Sequence, residues 1–536
     1  MAANNFYSSL FLNSQQWLAR YNDSLCSSNA FSGITLPNID VVSITAVPFK
    51  NYTYQYPAYV PPTPDISSLN FCNVTITYNH PGYNDTINTS VYLPTKDWNG
   101  RYQAAGGSGF STGGTGTLFI TALDGLSKGF VVSTTDGGHS SSLAVQSGAD
   151  NAWALTSPGN ANWNLVADFS YIALHEMVSL SKNFTEIFYG QAPSFSYYYG
   201  GSQGGRQGYQ YAQRFPYDFD GIVALFPAIE WSKLMALLAW PSIVMELNKV
   251  YPPSCETGAI TTAVIEACDS LDGVVDGIIS RPDLCTFNAY SVIGKTISCE
   301  GTQSSISKAA ALVMSEAWNG PRYSNGKTFF HGFVKGTDIS SPGNPAATTC
   351  TTNNSTGEQT CAFSGTPLGP GWFGSFVLKD LNATFKNITF DQWDELNRLS
   401  RQEYDSLLET ADPDLSLFKE AGGKLLTWHG LADPLISANN TEVYHDQVKQ
   451  LDPKLDDFYR LFLMAGGVHS TIGPIQVKNI QNYIVNWVEK GNAPETILAT
   501  GTDPTGKPYN RNLCKFPRVQ HYIGGNSSIP EAYKCV

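Results

Sequence analysis

At 536 residues the chain is too long for one minimal core, so two domains, or one domain with a large insertion, are expected. A hydrophobic share of 42% against 14% charged residues describes a globular chain rather than a disordered one. The net charge of −13 argues against nucleic acid or an anionic membrane as partner, because both require a basic surface, and no apolar run is long enough to span a bilayer.

Residues 1–70 read as a strapping N-terminal segment, Pro-rich between Pro57 and Pro64. Met1 is followed by a polar stretch with no basic or sustained apolar region, as in a mature chain headed by a start methionine. Phe71–Tyr78 and Ser90–Leu93 read as strands, the first by its alternation of apolar and polar residues. Asn99–Ala105 is a strand entering the loop Gly106-Gly107-Ser108-Gly109-Phe110. Glycines let backbone N–H groups approach a substrate, so Gly107 and Ser108 are expected as oxyanion donors, with an ordinary turn as the alternative. Gly129–Thr134 is a buried strand ending in Asp136-Gly137-Gly138-His139, where His139 is expected to anchor the loop. Phe169–Leu180 reads as a helix in which His175 is structural.

The β-prone run Phe195–Tyr199 leads into Gly200-Gly201-Ser202-Gln203-Gly204, and Arg206–Arg214 can carry a helix. Strand, tight turn and helix around G-x-S-x-G form a nucleophile elbow, with Ser202 exposed and the Gln203 N–H aimed at a developing oxyanion. Gly221–Pro227 is a continuous apolar run, hence a buried parallel strand. Residues 229–421 then lose the strand–helix alternation and are expected to form an inserted lid domain. The alternation resumes at Lys424–Gly430 and Tyr459–Met464, followed by a helix over Ile475–Lys490. The resulting division is a first catalytic part, 1–228, the lid, 229–421, and a second catalytic part, 422–536.

Asp433 and His469 both follow predicted strands closely, so a parallel sheet places them on the same edge as Ser202. A serine hydroxyl needs a base to take its proton, and the base needs an acidic partner to fix its tautomer. The chain order Ser202, Asp433, His469 is that of the α/β-hydrolase fold, an α/β architecture with a central, mostly parallel sheet. His429 is the rival base, but one loop would then supply both base and acid. In the insert, Asp269, Asp272 and Asp276 lie in a glycine-containing loop whose hard oxygen ligands would suit Ca²⁺, or whose side chains are simply solvated. Ten cysteines and twelve Asn-x-Ser/Thr sequons, among them Asn51, Asn84, Asn382 and Asn526, suit a secreted glycoprotein, the alternative being a cytosolic chain with reduced thiols.

From about residue 70 onward the chain resembles the tannase/feruloyl esterase family of secreted α/β-hydrolases. The resemblance rests on Tyr198–Gly208, Asp136–His139, Cys268–Ile278, Trp428–Ile436 and Gly466–His469. It implies Ser202 as nucleophile, His469 as base and Asp433 as its partner. It also implies Ca²⁺ held by Asp269, Asp272 and Asp276 with the Val274 and Ile278 carbonyls, and a lid that forms much of the acyl pocket. Cys26–Cys72, Cys268–Cys285 and Cys514–Cys535 pair by the same resemblance; Cys350 and Cys361 are close in sequence, which leaves Cys255–Cys299. The implied substrate is a small ester of a hydroxycinnamic or gallic type of acid, handled by a monomer or homodimer. Other aromatic esters, acyl transfer to an alcohol, and a silent binding protein are the competing readings. Family members carry a disulfide between the residue before the serine and the residue after the histidine. Here these are Gly201 and Ser470, so packing and hydrogen bonds must hold the site and leave it mobile or insensitive to reductant.

Overall fold

The computed structural model describes residues 25–55, 66–114, 117–299, 301–353, 355, 359–471 and 473–536, the side chains of 117–121 excepted. The start-methionine reading and the Pro-rich stretch therefore lie largely outside the described residues. Nine strands build the main sheet: β1 (Asp40–Tyr54), β2 (Ile66–Asn79), β3 (Ile87–Pro94), β4 (Arg101–Ala105), β5 (Val131–Thr135), β6 (Phe195–Gly201), β7 (Gly221–Leu225), β8 (Lys424–Gly430) and β9 (Tyr459–Met464). Their spatial order is β1-β2-β3-β5-β4-β6-β7-β8-β9. β1, β2, β3 and β5 pair antiparallel in turn. From β5 through β4, β6, β7 and β8 to β9 every pairing is parallel. This is the α/β fold with a mostly parallel central sheet that the motif order implied.

The parallel strands are continuous apolar runs because both faces are covered. β7 is buried at every position. Helices α1 (Ile172–Tyr189) and α2 (Gln203–Arg214) belong to this covering, and Tyr102, Tyr198, Ile222, Leu425 and Leu461 share one hydrophobic cluster with residues of both. Since β6, β7, β8 and β9 all point the same way, the loops after them meet on one edge, where open α/β sheets keep their sites.

The insertion leaves from that same edge, between β7 and β8. It brings the helices Trp231–Asn248, Ser254–Cys268, Lys308–Asn319 and Phe390–Leu408 and two small hairpins. Its apolar side chains form a cluster of their own around the fully buried Trp231, Trp240, Trp372 and Trp393. Phe110, Val145, Val166 and Phe169 of the preceding segment join it. Phe110 stacks on Phe376 at 5.1 Å and meets Trp231 edge-on at 5.6 Å, so the glycine-rich loop after β4 is docked onto the insert by aromatic contacts. All five cysteine pairs expected from the sequence are closed: Cys26–Cys72, Cys255–Cys299, Cys268–Cys285, Cys350–Cys361 and Cys514–Cys535.

Three local expectations change. The N-terminal segment contains β1, a 15-residue strand along the sheet edge, where Pro48 removes no N–H that a central strand would need. The helix expected over Phe169–Leu180 is instead a short helix, Trp163–Ser170, broken at Tyr171 and followed by α1. The helix expected from Ile475 starts at Ile480, because Ile475–Val477 pairs as a strand with Thr496–Thr502, which in turn pairs with Pro508–Cys514.

Candidate active site

Ser202 sits between β6 and α2 with φ 63° and ψ −123°, a conformation unfavourable for a residue with a side chain. Hydrogen bonds hold it there. Its N–H donates to the Leu225 carbonyl at 3.0 Å, and its carbonyl accepts from Arg206 and Ala228 at 3.0 and 3.2 Å. The turn closes only because its flanks lack side chains: a Cβ on Gly200 would lie 2.6 Å from the Gly204 carbonyl oxygen, and one on Gly204 2.9 Å from that of Gly107. The strain and the crowding are the physical content of a nucleophile elbow.

His469 Nε2 stands 3.0 Å from Ser202 Oγ, and its Nδ1 stands 2.8 Å from Asp433 Oδ2. The three side chains, far apart in sequence, thus form one hydrogen-bonded relay. Asp433 is buried, and its other oxygen accepts the N–H groups of Leu435 and Ile436 at 2.8 and 2.9 Å. Burial alone would raise its pKa, but the charge of His469 and hydrogen bonds from His429 and His469 outweigh it and hold the carboxyl far below its usual range. Asp433 is therefore a fixed anion. The loops that carry it and His469 are sewn together: Leu431 N–H donates to the Met464 carbonyl and Ala432 N–H to that of Gly467, both at 2.9 Å. Gly430 and Gly467 permit this, since a Cβ on Gly430 would lie 2.3 Å from the Gly467 oxygen.

The rival base His429 is buried behind the relay, with Nδ1 on Thr441 Oγ1 at 2.8 Å and Nε2 on the Ile436 carbonyl at 2.9 Å. It buttresses the Asp433 loop and does not reach the serine. His139 anchors its loop as expected, with Nε2 at 2.8 Å from the Phe110 carbonyl and its ring stacked on Trp153. His175 pairs with Asp218 at 2.8 Å.

The loop expected to donate to an oxyanion is committed elsewhere. Gly107 N–H donates to Gln207 Oε1 at 2.8 Å, and Ser108 N–H to the Ser111 carbonyl at 3.2 Å. The Gly107 carbonyl in turn accepts the Gly204 N–H at 3.0 Å, so the loop braces the elbow rather than offering free donors. Gln203, the first residue of α2, keeps the N–H that a helix start leaves unpaired. One turn on, Arg206 is fully buried between Phe169 and Trp231 and holds Gln203 Oε1 at 2.7 Å. Burial pulls its pKa down to about 9, because only neutral acceptors surround it. Sequence reasoning passed over this arginine; a cation three residues past an elbow glycine was the available signal. A cleft of 490 Å³ lined by Glu230, Lys233, Phe330, His331 and Asn439 contains none of the three relay side chains.

In the acidic loop, Asp269 accepts the N–H groups of Asp276 and Gly277 at 3.2 and 2.9 Å, and Asp272 accepts that of Val274 at 2.9 Å. Asp276 accepts from Ile278 at 3.2 Å and meets Arg511 with its second oxygen. Burial raises the Asp276 pKa to about 6; Arg511 opposes this, while Asp272 and Asp269 add to it. A cradle in which three carboxylates crowd against one guanidinium has the oxygen chemistry and the excess charge that a hard cation needs. Among the described residues, the trio whose donor atoms converge within 4.8 Å is a different one, His80, Asp85 and Asp168. There His80 already engages Asp85 through Nδ1 at 2.5 Å and Glu176 through Nε2 at 2.8 Å, the pattern of an imidazolium donating twice.

A family model described as tannase and feruloyl esterase matches residues 72–536. A probable feruloyl esterase of Arthroderma benhamiae is 36% identical, covering 93% of this chain and 91% of that protein. The solved structure of a tannin acyl hydrolase from Aspergillus niger superposes with a TM-score of 0.82 at 26% identity, over 96% of this chain and 95% of that one. Feruloyl esterase B from Aspergillus oryzae gives a TM-score of 0.77 at 27% identity, over 96% and 99%. The chain belongs to the tannase and feruloyl esterase family and is a carboxylic ester hydrolase.

Proposed function

We propose that the protein hydrolyses small esters of aromatic acids of the hydroxycinnamic or gallic type through an acyl-enzyme on Ser202. The observation that carries this is the unbroken relay from Ser202 Oγ through His469 to Asp433, at 3.0 and 2.8 Å, on a strained elbow. His469 Nε2 takes the serine proton as Oγ attacks the ester carbonyl, and the imidazolium formed is held by the Asp433 anion. The Gln203 N–H, at the positive end of α2, meets the oxyanion. His469 then returns the proton to the leaving alcohol, and the same base activates water to release the acid. The acyl class follows from the names of the relatives, which are feruloyl esterases and a tannin acyl hydrolase. The test is hydrolysis of methyl ferulate, methyl gallate and a p-nitrophenyl ester by the wild type and Ser202→Ala. Wild type is expected to turn over one of the aromatic methyl esters, and the variant to lose on the order of 10⁴-fold or more in kcat. Retained turnover by Ser202→Ala would refute the serine mechanism, and cleavage of the p-nitrophenyl ester alone would refute the acyl class.

The same reading gives the acidic loop a structural Ca²⁺, held by the Asp269, Asp272 and Asp276 carboxylates and the Val274 and Ile278 carbonyls. The cation would supply the positive charge that Arg511 alone does not. Chelator is expected to lower Tm by several degrees and calcium to restore it, because an ion bound only by the folded state stabilises it. An unchanged Tm, with no calcium in the purified protein by elemental analysis, would remove the site. Closed disulfides and exposed sequons at Asn51, Asn84, Asn382 and Asn526 support an extracellular glycoprotein, which a mass loss on glycosidase treatment checks. No helix of the described residues is long and apolar enough to cross a membrane.

A further inference from the structure

We infer that Phe226 is a positioning residue for the catalytic base, a ring that clamps the His469 imidazole from its face while Ser202 and Asp433 hold its two edges. This rests on the relay reading above and deepens it. Hydrogen bonds to Ser202 and Asp433 lie in the plane of the imidazole and fix its edges, but they leave it free to tip about the line between them. The Phe226 ring stands against the His469 ring, 4.7 Å between centroids and inclined by 58°, within the range of aromatic pairs. Behind it Trp428 packs edge-on at 5.2 Å, so Phe226 cannot easily recoil.

The backbone of Phe226 shows that the ring is held in place. Its φ is 31°, a positive value that a bulky side chain disfavours, and Pro227 follows it. Its N–H donates to the Trp428 carbonyl at 2.9 Å, which pins the strand end to β8. Local strain of this kind persists only where the surroundings over-determine it.

Space for the ring comes from the elbow itself. A Cβ on Gly201 would lie 2.7 and 2.8 Å from Cζ and Cε2 of Phe226. Any larger residue before the nucleophile would push the ring off the imidazole. Gly201 and Phe226 thus form a complementary pair, one vacating the volume that the other fills. With Gly201 and Ser470 where a sulfur bridge would otherwise join the two loops, this aromatic contact does the bridging without a covalent bond.

The experiment compares wild type, Phe226→Leu and Phe226→Ala on the best ester of the panel, with kcat and KM measured separately. Leucine keeps apolar bulk but has no flat face. Phe226→Leu is expected to keep a Tm within a few degrees of wild type and a KM within about twofold, and to lose about tenfold or more in kcat, as small misplacements of a reacting group do. In the Phe226→Ala background, Gly201→Cys with Ser470→Cys is expected to recover kcat when oxidised and lose it again with reductant. Wild-type kcat in Phe226→Leu would overturn the proposal, as would a closed cysteine pair that leaves kcat low. A loss that falls on KM alone would also overturn it, because the ring would then serve substrate binding. These outcomes are separate from failure of the mechanism itself, which Ser202→Ala reports.

Discussion

Asp433→Asn is expected to lower kcat on the order of 10⁴-fold while leaving KM and Tm close to wild type. The geometry says why a change of one atom is so costly. Asp433 Oδ1 accepts two backbone N–H groups, from Leu435 and Ile436, and an amide oxygen can go on doing so. The amide nitrogen then replaces Oδ2, 2.8 Å from His469 Nδ1. Two donors cannot face each other, so Nδ1 must become the acceptor and the proton moves to Nε2. That nitrogen stands 3.0 Å from Ser202 Oγ and, once protonated, cannot take the serine proton. The fold is spared because the oxygen still meets both N–H groups of the loop, and KM is spared because Asp433 is buried away from substrate. Steady-state kinetics on the aromatic esters, with thermal unfolding as control, decides the matter. A loss below about tenfold would mean that the Asp433–His469 bond does not set the tautomer.

The parts of this site that the sequence disclosed are those fixed by short-range necessity. The elbow must have small residues on both sides of Ser202, and the loops bearing Asp433 and His469 must have Gly430 and Gly467 where they touch; such glycines are visible in one dimension. What stayed hidden depends on contacts between distant segments. Gly107 looked like an oxyanion donor because nothing near it in sequence shows that the Gln207 side chain, 100 residues on, takes its N–H. Phe226 looked like the last apolar residue of a buried strand, and only the fold sets its ring on His469. The same holds for secondary structure. β1 was masked by Pro48, which an edge strand tolerates, and Ile475–Val477 was absorbed into the following helix because its strand partner begins at Thr496. The insert announced itself only by the loss of alternation, since its core is assembled from tryptophans at 231, 240, 372 and 393, too widely spaced to form a periodic pattern.

Stability is expected to fall as pH rises from about 6.5 to 9, and Asp168→Asn to remove a large part of that fall. Asp168, in the short helix Trp163–Ser170, is completely buried, and neither carboxylate oxygen has a hydrogen-bond partner. Around it stand His80, with Nδ1 at 3.9 Å, Asp85, Glu176 of α1, the Tyr78 hydroxyl that donates to Glu176, and the ring of Tyr83 against His80. Burial, with the charges of Asp85 and Glu176 adding and His80 opposing, pushes Asp168 up to about 8. The hydrogen bond to Glu176, against burial and aided by Asp85, pushes His80 up to about 9. In the unfolded chain these groups titrate near ~4 and ~6.5. For Asp168 the folded state therefore holds an extra proton between about 4 and 8, and stability declines as pH climbs through that window. For His80 the stabilisation is complete below about 6.5 and is lost as pH rises through 9, so the two effects have the same sign. Asparagine imitates the protonated carboxyl and cannot ionise, so the variant should match or exceed the wild type in Tm at pH 9 and differ least at pH 5. The consequence reaches the active site, because the carbonyls of Phe169 and Ser170, next along the same helix, accept from Arg206, which holds Gln203 at the elbow. Thermal unfolding of wild type and variant across this range, at one scan rate, gives the comparison. Parallel curves would show that Asp168 is ionised in the folded protein and that its charge is met by a partner other than a proton.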